Sequence, residues 1–188
     1  MIPFRLLRHF NVFNADQVSG YEPKIEPAAD TIAADDTIVL TVDEYAANTG
    51  VERRQVDDMS AYYVPSQDFI NIPPAESFKT AAGYAGTVLH ELVHATGHKD
   101  RLDRKFGLSN GGKDYAAEEL VAELGAAMLC GSLGYTAEPR DDHAKYLNSW
   151  IKRLEDDPKI IMRAAAAAEK ASAFLDDQVQ QSTSLEAA

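Results

Sequence analysis

Residues 87–102 of this chain read TVLHELVHATGHKDRL and hold three of its five histidines, at positions 90, 94 and 98. His90 and His94 are four residues apart on a segment with helical periodicity. That spacing sets them about 40° apart on one helix face, with their rings stacked along the axis. Two imidazole nitrogens so placed can serve one tetrahedral cation. Glu91 stands beside His90, where its carboxylate can reach the open position of that cation without ligating it. A water held there has its pKa lowered to around 7, and a neighbouring carboxylate can take its proton. The chemistry on offer is hydrolysis by a metal-activated water.

The pattern is the H-E-x-x-H arrangement of zinc peptidases. Such a short pattern also arises by chance, and two neutral core histidines are the plain alternative. Context separates the two. Ala85, Val88, Leu89, Leu92 and Thr96 recur at steps of three and four, an apolar stripe from which the histidines face away. Two histidines leave a ligand to be found. Glu119, in the run EELVAE of a following helix, leads the candidates. Asp100 would complete a metzincin-like H-E-x-x-H-x-x-G-x-x-D, with Gly97 turning the chain back. Glu118 and His98 also stay open, although Gly97 is expected to end the helix before His98, which reads as a loop residue. On a helix Glu119 and Glu123 share a face, while Glu118 is rotated about 100° away. Glu123 then becomes the acceptor for a histidine ring N–H, which fixes the tautomer, and Glu118 is expected to matter little. Two imidazoles and a carboxylate suit Zn2+ and also accept Mn2+, Co2+ or Ni2+.

The elements that must hold these groups change character along the chain. Up to about residue 73 the texture is strand and turn. HFNVFNADQV (9–18), TIVLTV (37–42), AYYVP (61–65) and FINIP (69–73) read as strands, the last two as a hairpin across Ser66, Gln67 and Asp68. VDEYAANTGVE gives a weaker helical signal. FINIP precedes the histidine helix and could offer an exposed edge for an extended peptide. From Pro74 the texture is helical. One helix runs over 74–97 and ends near Gly97, and a second is capped by Asp114 with the stripe Leu120, Val121, Leu124 and Met128. A third runs from about Pro139 to Asp156, and an alanine-rich fourth from Asp157-Pro158 to about Asp176. We expect one domain over 1–176, sheet-rich over 1–73 and helical over 74–176, then a polar tail, 177–188, disordered or partly a cloning remnant.

Net charge is -12 over 188 residues, which opposes binding to nucleic acid or to anionic membrane. The basic cluster Lys99, Arg101, Arg104 and Lys105 is diluted by Asp100 and Asp103 and reads as a solvated loop. The lone cysteine, Cys130, excludes an internal disulfide and sits in an apolar helical run, so it reads as packing. No stretch is long enough to span a bilayer and no secretory signal is visible, which points to a cytoplasmic protein.

One family joins these features. RHFNVFNADQV, YYVPSQDFINIP, AGYAGTVLHELVHATGHKDRLDR, YAAEELVAELGAAMLC and a helix with YLNSWI occur here in an order that closely resembles the C-terminal zincin-like metallopeptidase domain of the ArdC/TraC-type plasmid antirestriction proteins, the latter often labelled DNA primases. The resemblance implies an α+β, zincin-like fold of gluzincin type: a small twisted N-terminal sheet packed on a metal-binding helix and a helical C-terminal half. It implies one Zn2+ held by His90, His94 and Glu119, with Glu91 as the catalytic acid/base. It also implies a protein or peptide substrate and an antirestriction or mobile-element setting. Family members carry a separate domain for single-stranded DNA, which we expect this acidic chain to lack. The competing expectation is a metal-containing protein-binding or DNA-metabolism accessory module with little peptidase activity.

Overall fold

The computed structural model describes residues 19–20, 35–56, 59–104, 113–135, 151, 155 and 157–186. The expected strand at 9–18 lies outside them, as does nearly all of the expected helix at 139–156. The chain divides into two compact units, Met1–Thr31 and Ile32–Ala188. Of the first, the described residues are Ser19 and Gly20, a turn in which a φ of 81° at position 20 favours glycine. All that follows concerns the second.

Its first element is a helix, α1 (Asp35–Asn48), where the sequence pattern suggested a strand at TIVLTV. Helix costs a β-branched residue up to about 0.7 kcal/mol relative to alanine. Burying a Val or Ile side chain contributes about 1.5–3 kcal/mol. Ile38, Val42, Tyr45 and Ala46 fall on one face of α1 and are all buried, so burial outweighs local preference. The helix that VDEYAANTGVE hinted at is thus the second half of a longer one.

Three short strands follow: β1 (Glu52–Arg54), β2 (Tyr62–Val64) and β3 (Phe69–Asn71). The sheet order is β1-β3-β2, with β1 parallel and β2 antiparallel to β3. The β2–β3 hairpin is as expected, closed by Asp68 N–H donating to the Val64 carbonyl at 2.8 Å, with Asp68 at φ 56°. Asn71 is fully buried and ties the sheet to the preceding loop. It accepts from Val56 N at 2.9 Å and donates to Ser60 O at 2.6 Å. FINIP does not offer an open edge, because β3 is the central strand and both its sides are paired.

Pro74 leads into a 3-10 turn (Ala75–Ser77) rather than the long helix expected from residue 74. Phe78 is extended, and α2 (Ala81–Thr96) begins only where the Thr80 hydroxyl accepts from Gly83 N at 3.0 Å. Gly97 is the C-cap, as anticipated. α2 is the centre of the unit, touching α1, α3 (Lys113–Ser132), α4 (Ile160–Glu186), β2 and β3. It therefore lacks the solvent face its stripe suggested: from Tyr84 to Thr96 every residue except Gly86 is buried, both histidines included. Its hydroxyls are satisfied within the helix, Thr87 on Gly83 O at 2.9 Å and Thr96 on Val93 O at 2.6 Å.

α3 packs Leu120, Val121, Ala122, Ala126, Leu129 and Cys130 inward, while Met128 is 40% exposed rather than part of the stripe. α4 presents Ala164, Ala168, Ala171 and Leu175 to the core. It runs ten residues beyond Asp176, through most of the stretch read as a polar tail. Contacts with α1 account for the extension: Tyr45 donates to Asp176 at 2.8 Å and Ser182 to Asn48 at 2.7 Å.

Candidate metal centre

α2 and α3 lie side by side, and their facing sides carry the ionisable groups. His90 and His94 are one turn apart on α2, with ring centroids 4.6 Å apart and planes at 82°. Their Nε2 atoms face each other at 3.0 Å. Glu119 reaches both from α3, Oε1 standing 3.4 Å from His94 Nε2 and Oε2 3.6 Å from His90 Nε2. One donor atom from each of the three residues lies within 4.8 Å of the others. Donors at about 2.0–2.1 Å from a tetrahedral centre are about 3.3–3.4 Å apart. The separations of 3.0, 3.4 and 3.6 Å, the last two measured to different oxygens of Glu119, are of that size.

The other ring nitrogens explain why the Nε2 atoms are offered. His90 Nδ1 is 3.3 Å from Glu123 Oε1, and His94 Nδ1 is 3.3 Å from Glu118 Oε1. The Glu118 carboxylate, hydrogen-bonded at His94 Nδ1, draws that ring's proton to Nδ1 and leaves an Nε2 lone pair, and Glu123 stands near enough to His90 Nδ1 for its charge to favour the same tautomer. Two lone pairs and a carboxylate then converge in a buried space, a set of acceptors that a cation satisfies. A proton answers part of that demand. Burial pushes His94 down, but Glu118, Glu119 and the charge of Glu91 outweigh it and raise its pKa to about 10. Burial pushes Glu119 up, yet the two histidines hold it well below the usual carboxylate range. Glu91 is itself buried on α2, at 4% exposure, between the two histidines in sequence.

Asp100 does not join this group. Its side chain is 74% exposed and lies 3.5 Å from His98 Nδ1. His98 is less of a surface residue than expected, at 13% exposure and 3.8 Å from Asp68. Glu118 also differs from expectation. It is rotated round α3 from Glu119, yet its side chain is long enough to reach the far nitrogen of His94, and it is only 6% exposed. Burial pushes Glu118 up, but His94 and Arg104 bring it below its ordinary value.

The family profile of the zincin-like metallopeptidases matches residues 40–167. The chain belongs to that family. Zincin-like metallopeptidases imply a metal ion, and the convergence of His90, His94 and Glu119 fits one. Among curated proteins the chain is 41% identical over 180 residues to "DNA primase TraC" of Escherichia coli, covering 94% of this chain and 16% of that protein. It is 35% identical over 171 residues to "Uncharacterized protein y4eC" of Sinorhizobium fredii, covering 91% and 54%. The crystal structure of the antirestriction protein ArdC from plasmid R388, in its Mn(II)-bound form, matches with a TM-score of 0.70 and 41% identity, covering 90% of this chain and 62% of that one. The chain therefore spans from about a sixth to about three-fifths of the length of these relatives.

One residue of this zincin-like site escaped the sequence reading. Arg104 looked like part of a solvated basic loop, but its side chain is 13% exposed. After Gly97 the chain folds back through bonds from Leu102 N to Thr96 O (2.9 Å) and Arg104 N to Gly97 O (3.0 Å). Arg101 then donates to Ala95 O at 2.7 Å and Arg104 to Val93 O at 2.7 Å. The available signal was a pair of arginines just past a helix end, where carbonyls lack partners and the helix dipole favours cations. Among the described residues no helix is long and apolar enough to cross a membrane.

Proposed function

We propose that this chain is a zinc-dependent peptidase acting on a protein or peptide in an antirestriction or mobile-element setting. The observation that carries the reading is the convergence of His90 Nε2, His94 Nε2 and the Glu119 carboxylate, with Glu91 on the same helix. The names of the TraC and ArdC relatives support the setting. In this reading His90, His94 and Glu119 hold the ion, and Glu118 and Glu123 orient the rings. A divalent cation, when bound, polarises a carbonyl and makes a water more acidic. Glu91 accepts the proton of the water that adds to the scissile carbonyl carbon. As the carbon–nitrogen bond breaks, Glu91 returns that proton to the leaving amine. The site's enclosure keeps the charges of this exchange out of bulk water, where they would be screened.

The experiment is cleavage of a peptide library by zinc-loaded wild type and Glu91→Gln, with and without chelator. Hydrolysis is expected from wild type alone, lost on chelation, with zinc uptake equal in both proteins. Loss of uptake in Glu91→Gln would make Glu91 a ligand and overturn the assignment. The burial of His90 at 2% and Glu119 at 6% favours a second reading, in which the ion is structural and the chain is a binding module. Absence of cleavage by a fully loaded wild type would support it.

A further inference from the structure

We propose that Arg104 is a positioning residue of the metal centre, acting through Glu118 to fix the His94 ring with Nε2 turned toward the cation. The inference rests on the metal reading above and adds to it a residue whose side chain bonds to Glu118, Val93 and Thr96 and not to the three ligands. Arg104 Nε donates to Glu118 Oε2 at 3.0 Å and Nη2 to Glu118 Oε1 at 2.7 Å. A planar guanidinium holding a carboxylate by two parallel bonds fixes both the distance and the plane of that carboxylate. Oε1 of the carboxylate so held is the atom 3.3 Å from His94 Nδ1.

The guanidinium is itself registered to the helix that carries His94. Nη2 also donates to Val93 O at 2.7 Å, and Nη1 to Thr96 Oγ1 at 2.6 Å. Val93 immediately precedes His94, and Thr96 follows it by two residues. The bonds make a closed circuit from His94 on α2 to Glu118 on α3, to Arg104 in the returning loop, and back to α2. In such a circuit the ring cannot rotate without breaking charge-assisted bonds in a buried setting, where each broken partner is costly.

A merely structural Arg104 would act through Val93 and Thr96 as a helix-end cap, independently of Glu118. A double-mutant cycle separates the roles. Wild type, Arg104→Met, Glu118→Gln and the double variant are titrated with Co(II) against a competing chelator, and the Co(II) visible absorption is recorded. Each single variant is expected to weaken Co(II) binding by about 10–100-fold. Each should also change the absorption band, because the His94 ring is no longer held. The double variant should bind about as well as Glu118→Gln alone, since the two act through one contact. Additive losses, or an Arg104→Met affinity and spectrum equal to wild type, would overturn the inference. Should Arg104→Met fail to fold, Arg104→Lys keeps the charge without the fork. It is expected to bind Co(II) more weakly than wild type and to give the same non-additivity with Glu118→Gln. Wild type that takes up no Co(II) would instead refute the metal reading itself.

Discussion

Gly125 on α3 lies so close to Val93 on α2 that a Cβ at position 125 would stand 2.8 Å from Val93 Cγ2 and 3.0 Å from Cγ1. Val93 is fully buried and β-branched, so its methyl groups have little room to turn aside. The contact sets the spacing of two helices, one carrying the histidines and the other the three glutamates that face them. Gly125→Ala gains about 1 kcal/mol of helix propensity but overpacks the core at a cost of about 1–3 kcal/mol. The expected net loss is about 0–2 kcal/mol, read by thermal or denaturant unfolding. Metal affinity should fall as the helices part. Val93→Ala in the same chain should restore affinity, and failure to do so would show that the spacing does not govern the site.

Glu119→Ala should remove most metal affinity, because it deletes one corner of the donor triangle. Glu123→Ala should cost about 10–100-fold, because it only frees the His90 ring. Chelator competition with Zn2+ measures both. Equal losses in the two variants would mean that Glu119 is not the third ligand.

Metal and fold should be linked. A ligand that binds only the folded chain stabilises it by about 2.7 kcal/mol at a hundred times its dissociation constant. Adding Zn2+ to chelator-treated protein should therefore raise the melting temperature, and the rise should vanish in His90→Ala/His94→Ala. A rise of the same size in the double variant would place the metal elsewhere.

Asp68 makes an acid-sensitive clasp between the β2–β3 turn and the loop after α2. It takes two bonds from Arg101 and one, at 2.8 Å, from Tyr63. Burial pushes its carboxyl up, but Arg101 and Tyr63 more than reverse this and hold it below its ordinary 3.8. A carboxyl lowered on folding contributes stability that is present above the unfolded value and is lost as pH falls through the folded one. Asp68→Asn keeps a residue that tolerates the left-handed backbone found there. The variant should melt below wild type at pH 7, and the gap should close as the pH is taken below 3.8. A gap unchanged by pH would show that the ion pair contributes nothing.

Features carried by local geometry were legible in the residues alone. The 3.6-residue repeat puts His90 and His94 on one face whatever surrounds them. Gly97 ends α2 through bonds made within a few residues, and the β2–β3 hairpin closes across a four-residue turn. The pairing of Glu119 with those histidines was legible too, because EELVAE puts a carboxylate on each of two successive turns of the next helix. Contacts between distant residues account for the remainder. TIVLTV became helix because differences in propensity are fractions of a kcal/mol per residue, whereas burying Ile38 and Val42 is worth several times that. Glu118 and Arg104 joined the centre because a helical wheel records where a Cβ starts and not how far a long side chain reaches. The destination of Arg104 depends on a loop folding back under α2, and that path is set by contacts between residues distant in the chain.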